Sequence, residues 1–358
     1  MTTEQMAAAP ALENELSLLG WSSFFRQQLT LEEVETGVPA RVFEVHRSGL
    51  VLRYAGGETD VPLGGRWFQG GAEERPTVGD WLLLEADRRT ILRLLDRSSL
   101  IKRMSVSKPG EVQLIAANVD TLLLVTSCNA DFNPSRLERY LALAHEARVQ
   151  PVVVLTKADL SSDTDSYQDA ARLLGSDLVV EVVNALAPET LAPLRSWCRP
   201  GQTVALLGSS GVGKSTLINS LAGVRLQDTG EVREADAKGR HTTTHRSLHL
   251  LPGAGMLLDS PGMRELGITD VQAGLASTFE DVASLASACR FANCAHLSEP
   301  GCAIRAAIEE GRLDARRLDS YRKLRREELY NSETVAERHA RVRQWSKKVK
   351  QAQRKPDH

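Results

Sequence analysis

Between Gly37 and about Arg97 the chain runs in short alternating stretches. Among them are Arg41-Val-Phe-Glu-Val45, Leu50-Val-Leu-Arg-Tyr54 and Asp80-Trp-Leu-Leu-Leu84, with glycine pairs at Gly56-Gly57, Gly64-Gly65 and Gly70-Gly71 between them. A period of two sends one side chain to a core and the next to solvent, so several such strands with regular turns predict a small β-barrel. After about Ser99 the texture changes. Apolar runs at Thr121–Val125, Val152–Leu155, Val179–Val183, Thr203–Leu207 and Met256–Leu258 are interleaved with helical stretches such as Pro134–Ala147. Strands apolar on both sides belong in a parallel sheet with helices on both faces. From about Val271 onward the period is helical, interrupted by a cysteine-rich loop. Upstream, Leu16 to Leu29 is amphipathic, and Leu19, Trp21, Phe24, Phe25 and Leu29 are expected to pack on another part of the chain.

The predicted protein is therefore multidomain. An N-terminal arm covers 1–36, a small β-barrel 37–98, an α/β domain with a parallel sheet 99–270, a helical domain with the cysteine-rich loop 271–337, and a basic tail 338–358. Bulk properties fit this division: 358 residues, 42% hydrophobic and 25% charged, suit two or three soluble domains. No apolar run reaches the ~20 residues of a membrane span, and the first fifteen residues lack the basic flank and apolar core of a signal peptide, so no membrane association and a cytoplasmic location are expected. The formal charge of −2 conceals an uneven distribution, because Arg338 to Lys355 holds eight Lys or Arg and no acid. With Trp345 among them, these residues can neutralise phosphates along an RNA groove or form a solvated tail. The barrel offers Arg41, Arg53, Tyr54, Arg66 and Trp67 as contributors to a nucleic-acid face, although each also reads as a core aromatic or a solvated charge.

The most specific chemical signal is Gly208-Ser-Ser-Gly-Val-Gly-Lys-Ser215, which follows the strand Thr203–Leu207 and opens the helical Thr216-Leu-Ile-Asn-Ser-Leu221. Here Gly208, Ser209, Ser210, Gly211, Val212 and Gly213 can curl backbone N–H groups around phosphates, and Thr216 continues the cradle into the helix. Lys214 reaches the β and γ oxygens, and Ser215 supplies a hydroxyl to Mg²⁺. Base identity is assigned to Thr156-Lys-Ala-Asp159, which resembles the Asn-Lys-x-Asp guanine motif of GTPases. Asp159 can accept both N–H groups of a guanine edge and Lys157 can pack across the loop, but Thr156 stands where an amide is usual. Asn184 and Ala185 occupy the place of a second base-side loop. Two switch candidates follow, Gly239-Arg-His-Thr-Thr-Thr-His245 and Asp259-Ser-Pro-Gly262. Thr243 and Asp259 are expected on the Mg²⁺ side, and the Gly262 N–H at the γ-phosphate.

The cluster Cys289-x4-Cys294-x-His296-x5-Cys302 offers three thiolates and one imidazole within fourteen residues, the donor set of a closed structural zinc site. One Zn²⁺ per chain is expected. Cys128 and Cys198 read as interior residues.

The order of the nucleotide motifs is inverted, since Thr156–Asp159 precedes the phosphate loop that normally comes first. A doubly wound domain gathers its loops at one sheet edge, so its ends can be rejoined and the chain opened elsewhere. Permuted motifs, a preceding barrel and the cysteine cluster together resemble the ribosome small-subunit-dependent GTPase A family (RsgA, also called YjeQ) over nearly the whole chain. The resemblance implies an OB-fold, a circularly permuted GTPase and a zinc domain. It also implies a role in late maturation of the 30S ribosomal subunit, with GTP hydrolysis stimulated by that subunit and its rRNA as partner. A monomer is expected. Met263 stands where many GTPases place a water-orienting glutamine, so intrinsic hydrolysis is expected to be slow. His241, in the first switch, is the candidate water-positioning group alongside Lys214. The alternative is a nucleotide-switched RNA-binding checkpoint with incidental turnover. An ATP-dependent kinase or transporter reading is opposed by Asp159 and by the permuted order.

Overall fold

In the computed structural model, the residues described are 12–46, 48–104, 112–223, 246–259 and 271–332. His241, Thr243, Gly262, Met263 and the tail 338–358 lie outside them, as does the rest of the first switch.

Thirteen strands carry the described architecture: β1 Val38–Val45, β2 Gly49–Tyr54, β3 Gly57–Pro62, β4 Trp81–Leu84, β5 Ile91–Leu94, β6 Leu100–Met104, β7 Val112–Ala117, β8 Thr121–Ser127, β9 Gln150–Thr156, β10 Val179–Val182, β11 Thr203–Leu207, β12 Ser247–Leu250 and β13 Met256–Asp259. One long sheet has the order β10-β9-β8-β11-β13-β12-β1-β2-β3, with β4 and β5 branching from β1. The strands from β10 to β13 are parallel. The sheet is nevertheless mixed rather than purely parallel. The short β12 runs antiparallel to β13, and it meets β1 at the pair Glu44 and Ser247.

Burial explains the parallel part. Every residue of β8 and β11 is buried, and successive side chains serve opposite cores. Leu122 and Leu124 join Leu137, Leu141 and Phe279 on one face. Leu123 and Val125 join Val212, Leu217 and Leu221 on the other. The helix Pro134–Glu146 covers the first face, begun by the Asn133 side chain, which accepts from the Arg136 N–H, and by proline at its first turn. Helix Lys214–Ala222 covers the second.

The antiparallel strands β3-β2-β1-β4-β5 enclose a separate core of Ala40, Val42, Leu50, Leu52, Val61, Leu82, Leu84 and Ile91. The arm packs as its pattern predicts, with Leu19 and Phe25 buried and Trp21 set edge-on to Trp81 at 4.8 Å. Phe24 is the exception, 42% exposed.

Arg41 corrects its sequence assignment. It is 1% exposed and cannot face RNA. Its guanidinium instead donates to the carbonyls of Leu19, Gly79 and Asn118 and to Thr203 Oγ1, and lies 3.4 Å from Met256 Sδ. One side chain thus ties the N-terminal segment, the antiparallel strands β1 to β5 and two strands of the nucleotide-binding sheet. Burial pulls its pKa down to about 10 against the opposing pull of Asp120 and Asp80, which leaves it charged at neutral pH.

In the C-terminal part, helices Gln272–Thr278 and Ala315–Ser332 pack against the helix Pro134–Glu146, while Glu280–Ser287 and Ala303–Glu309 pack on each other and join the same core. Gly274 permits the approach, because a Cβ there would lie 2.0 Å from the Ala142 carbonyl. Among the described residues no helix is long and apolar enough to cross a membrane.

Replacing Arg41 with alanine removes a donor from five acceptors, of which the Gly79 carbonyl keeps the Asn118 amide, and opens a cavity, so the chain is expected to lose about 3–5 kcal/mol of stability. A denaturant titration followed by tryptophan fluorescence reads this, and an unchanged midpoint would refute the structural role.

Candidate nucleotide site and metal centre

The carboxyl ends of β8, β9, β10, β11 and β13 lie at one sheet edge, where open α/β sheets bind ligands. The phosphate-binding loop leaves β11 at Gly208, where a Cβ would lie 2.3 Å from the Val125 carbonyl of β8, so only glycine fits. Gly211 and Gly213 have φ of 80° and 92°, the left-handed region glycine enters freely. Gly213 caps the helix Lys214–Ala222, so Ser215 and Thr216 fall in its first turn, where N–H groups face outward. Lys214 Nζ donates to the carbonyl of Gly208 at 2.8 Å and to that of Ser209, which holds the ammonium at the loop.

The base-side loops are joined to this cradle. Thr156, fully buried at the end of β9, places its hydroxyl 2.6 Å from the Val212 carbonyl and 3.0 Å from the Thr126 carbonyl. A threonine therefore bridges the two loops, and the missing amide at this position does not leave them unconnected. Lys157 follows with φ of 58°, and this left-handed residue turns the chain into a single turn, Ala158–Leu160, that presents Asp159 to solvent. Asn184 is held by its own loop, its Oδ1 accepting from the Leu186 N–H and its backbone bonding Thr190. The Ala185 carbonyl accepts from Ser220 of the helix behind the phosphate loop at 2.6 Å. Asp259 ends β13, parallel to β11, which puts its backbone at the same edge.

Two contributors escaped the sequence reading. One is the bridging role of Thr156. The other is Arg136, whose NH1 lies 2.8 Å from Ser209 Oγ in the phosphate loop. No local pattern marks Arg136, because the pairing of β8 with β11 that sets the loop after β8 beside the phosphate loop appears only in the fold.

The second centre is the cysteine loop. The ligand atoms of Cys289, Cys294, His296 and Cys302 all lie within 4.8 Å of one another. Cys289 Sγ is 3.6 Å and Cys302 Sγ 3.5 Å from His296 Nδ1, and the two sulfurs are 3.9 Å apart. A tetrahedron with metal–sulfur bonds of about 2.3 Å has edges of about 3.8 Å, so the donor set fits a metal. The loop around it is preset: His296 and Gly301 have positive φ, and the Glu299 carboxylate accepts from the N–H groups of Ala295, Leu297 and Ser298. Its own and these neighbouring backbone N–H groups hold the Glu299 pKa down to about 2. Arg322 donates to the His296 and Ala295 carbonyls, fixing the loop to the last helix.

A parallel sheet with a phosphate loop at its edge, and with the guanine-type motif preceding that loop, defines a circularly permuted P-loop GTPase. The family profile of the RsgA GTPase matches residues 94–269. A small ribosomal subunit biogenesis GTPase RsgA 2 from Vibrio parahaemolyticus is 51% identical over 334 residues, covering 93% of this chain and 91% of its own. A small ribosomal subunit biogenesis GTPase RsgA from Mesorhizobium japonicum is 47% identical, covering 91% and 93%. Among solved structures, YjeQ from Thermotoga maritima is similar with a TM-score of 0.60 at 24% identity, covering 80% of this chain and 97% of its own. YloQ, described as a circularly permuted GTPase, gives 0.58 at 24% identity, covering 83% and 97%. The chain belongs to the RsgA GTPase family.

Thr156→Val keeps the volume but removes the hydroxyl between the loops. GDP and GTP affinity are both expected to fall about five- to thirty-fold, the equivalent of about 1–2 kcal/mol. Titration of a fluorescent nucleotide measures it, and wild-type affinity for both nucleotides would show that the bridge does not support binding.

Proposed function

We propose that this chain binds the small (30S) ribosomal subunit, acts in its late maturation, and hydrolyses GTP with stimulation by that subunit. The observation that carries this reading is the agreement in name and extent of relatives 51% and 47% identical over more than nine-tenths of the chain. The permuted arrangement supports it, because in sequence the second switch candidate, Asp259 to Gly262, is followed by the helices and the Cys/His cluster of the C-terminal part.

In this reading the backbone of Gly208 to Thr216 and Lys214 bind the phosphates, while Asp159, with Lys157, Asn184 and Ala185 around it, selects guanine. Ser215, Thr243 and Asp259 would hold Mg²⁺, which would supply positive charge beside the β- and γ-phosphates, and the Gly262 N–H would meet the γ-phosphate. Met263 cannot hydrogen-bond the attacking water, so its positioning falls to His241 of the first switch. Cys289, Cys294, His296 and Cys302 would hold one Zn²⁺, which would cross-link their loop. The barrel acts as an OB-fold on rRNA. Of the residues first considered for that face, Arg53 stacks on Phe43 and pairs with Glu58. Arg66 lies over Trp67 and Arg88 over Tyr54. The basic tail 338–358 adds phosphate contacts, and the protein works as a cytoplasmic monomer.

The deciding experiment is GTP turnover with and without isolated 30S subunits. A rise of at least ten-fold is expected, and equal rates would reject the stimulated-GTPase reading. His241→Ala is expected to depress stimulated turnover while leaving nucleotide affinity within about two-fold; undiminished stimulation would remove His241 from the mechanism. Metal analysis is expected to give one zinc per chain, lost in Cys302→Ala together with thermal stability. Full stability and activity after metal removal would count against a structural ion.

A further inference from the structure

Arg136 occupies a position that helix stability does not explain. It lies in the first turn of Pro134–Glu146, where the helix dipole disfavours a cation, and the Asn133 side chain already caps its backbone N–H. Other arginines around this helix are neutralised by carboxylates: Arg139 by Glu327, Arg316 by Glu138, and Arg317 by Glu138 and Asp281. The partner of Arg136 among the described residues is a neutral hydroxyl, Ser209 Oγ at 2.8 Å.

That hydroxyl belongs to the second residue of the phosphate loop, whose carbonyl also holds Lys214. The guanidinium therefore stands at the loop on the face opposite helix Lys214–Ala222, half-buried, where solvent screening is reduced. A guanidinium has five N–H donors in a planar fork suited to phosphate oxygens, and the contact with Ser209 engages one.

Resting on the GTPase reading above, we propose that Arg136 is a second cation of the phosphate site, one that engages the terminal phosphate of GTP and stabilises the charge that builds there during hydrolysis. In that step water attacks the γ-phosphorus, the bond from phosphorus to the β–γ bridging oxygen breaks, GDP leaves, and the proton of water passes to the released phosphate. The equatorial oxygens carry the developing charge, and a positioned guanidinium meets it without reorganisation. A residue acting this way distinguishes GTP from GDP, which lacks the group it touches.

The test compares the full-length wild type with Arg136→Gln and Arg136→Lys. It measures affinity for GDP and for a non-hydrolysable GTP analogue, and single-turnover GTP hydrolysis with and without small ribosomal subunits. Glutamine can still donate to Ser209 but carries no charge. Arg136→Gln is expected to bind the GTP analogue about ten-fold more weakly, to keep GDP affinity within about two-fold, and to lower the hydrolysis rate about a hundred-fold. Arg136→Lys is expected to recover a large part of the rate. Parallel loss of GDP and analogue affinity would mean that Arg136 only shapes the loop, and wild-type behaviour of Arg136→Gln would mean that it touches no phosphate; either overturns the proposal. Failure of the wild type itself to bind guanine nucleotide would instead overturn the underlying reading.

Discussion

The guanidinium of Arg41 is the constraint on which the arrangement of parts depends. A buried cation persists only if its donors are satisfied, and the acceptors that satisfy it come from five separate places: the arm, the turn before β4, the segment before β8, and strands β11 and β13. These groups must assemble together or leave a charge stranded in a dry interior. Gly20 makes room for it, since a Cβ there would lie 2.5 Å from Arg41 NH1. The antiparallel strands are thereby held to the nucleotide-binding sheet more firmly than the single β1–β12 register pair could hold them.

The C-terminal module is fixed by a second buried ionic cluster. Glu138, fully buried, receives Arg316 at 3.0 Å and Arg317 at 3.0 Å, and Arg317 also bonds Asp281 and stacks over Phe279. The helix that carries Glu138 also carries Arg136, which touches the phosphate loop. The helix that carries Arg317 also carries Arg322, which fastens the Cys/His loop. Two rigid elements thus connect the phosphate loop to the Cys/His centre through described side chains.

Much of this was legible in the sequence because its signals are local. The strands β8, β9, β11 and β13 announce themselves as unbroken apolar runs, and the phosphate loop and the Cys/His set are fixed by spacing. Other elements carry no such signal. The edge strand Gly57–Pro62 buries only Val61, so it shows no alternation to detect. The antiparallel β12 is four residues long and is defined by its neighbours β13 and β1 rather than by its own pattern. Arg41 sits in an alternating strand where a charge reads as solvent-facing, and only partners 22 to 215 residues away turn it inward. The Thr156 bridge was hidden for the same reason, because its acceptor lies 56 residues further along the chain.

The permutation also sets the order in which the molecule can be made. As the chain leaves its own ribosome from the N-terminus, β8, β9 and β10 emerge before β11, so the buried strand β8 waits with one edge unpaired until the phosphate loop has been synthesised. Arg41 waits longer still, for Met256 at a separation of 215 residues. Contacts this distant in sequence close late and slowly. The antiparallel strands β1 to β5 can collapse early around their own core, but the completed nucleotide site belongs to the last stage of folding.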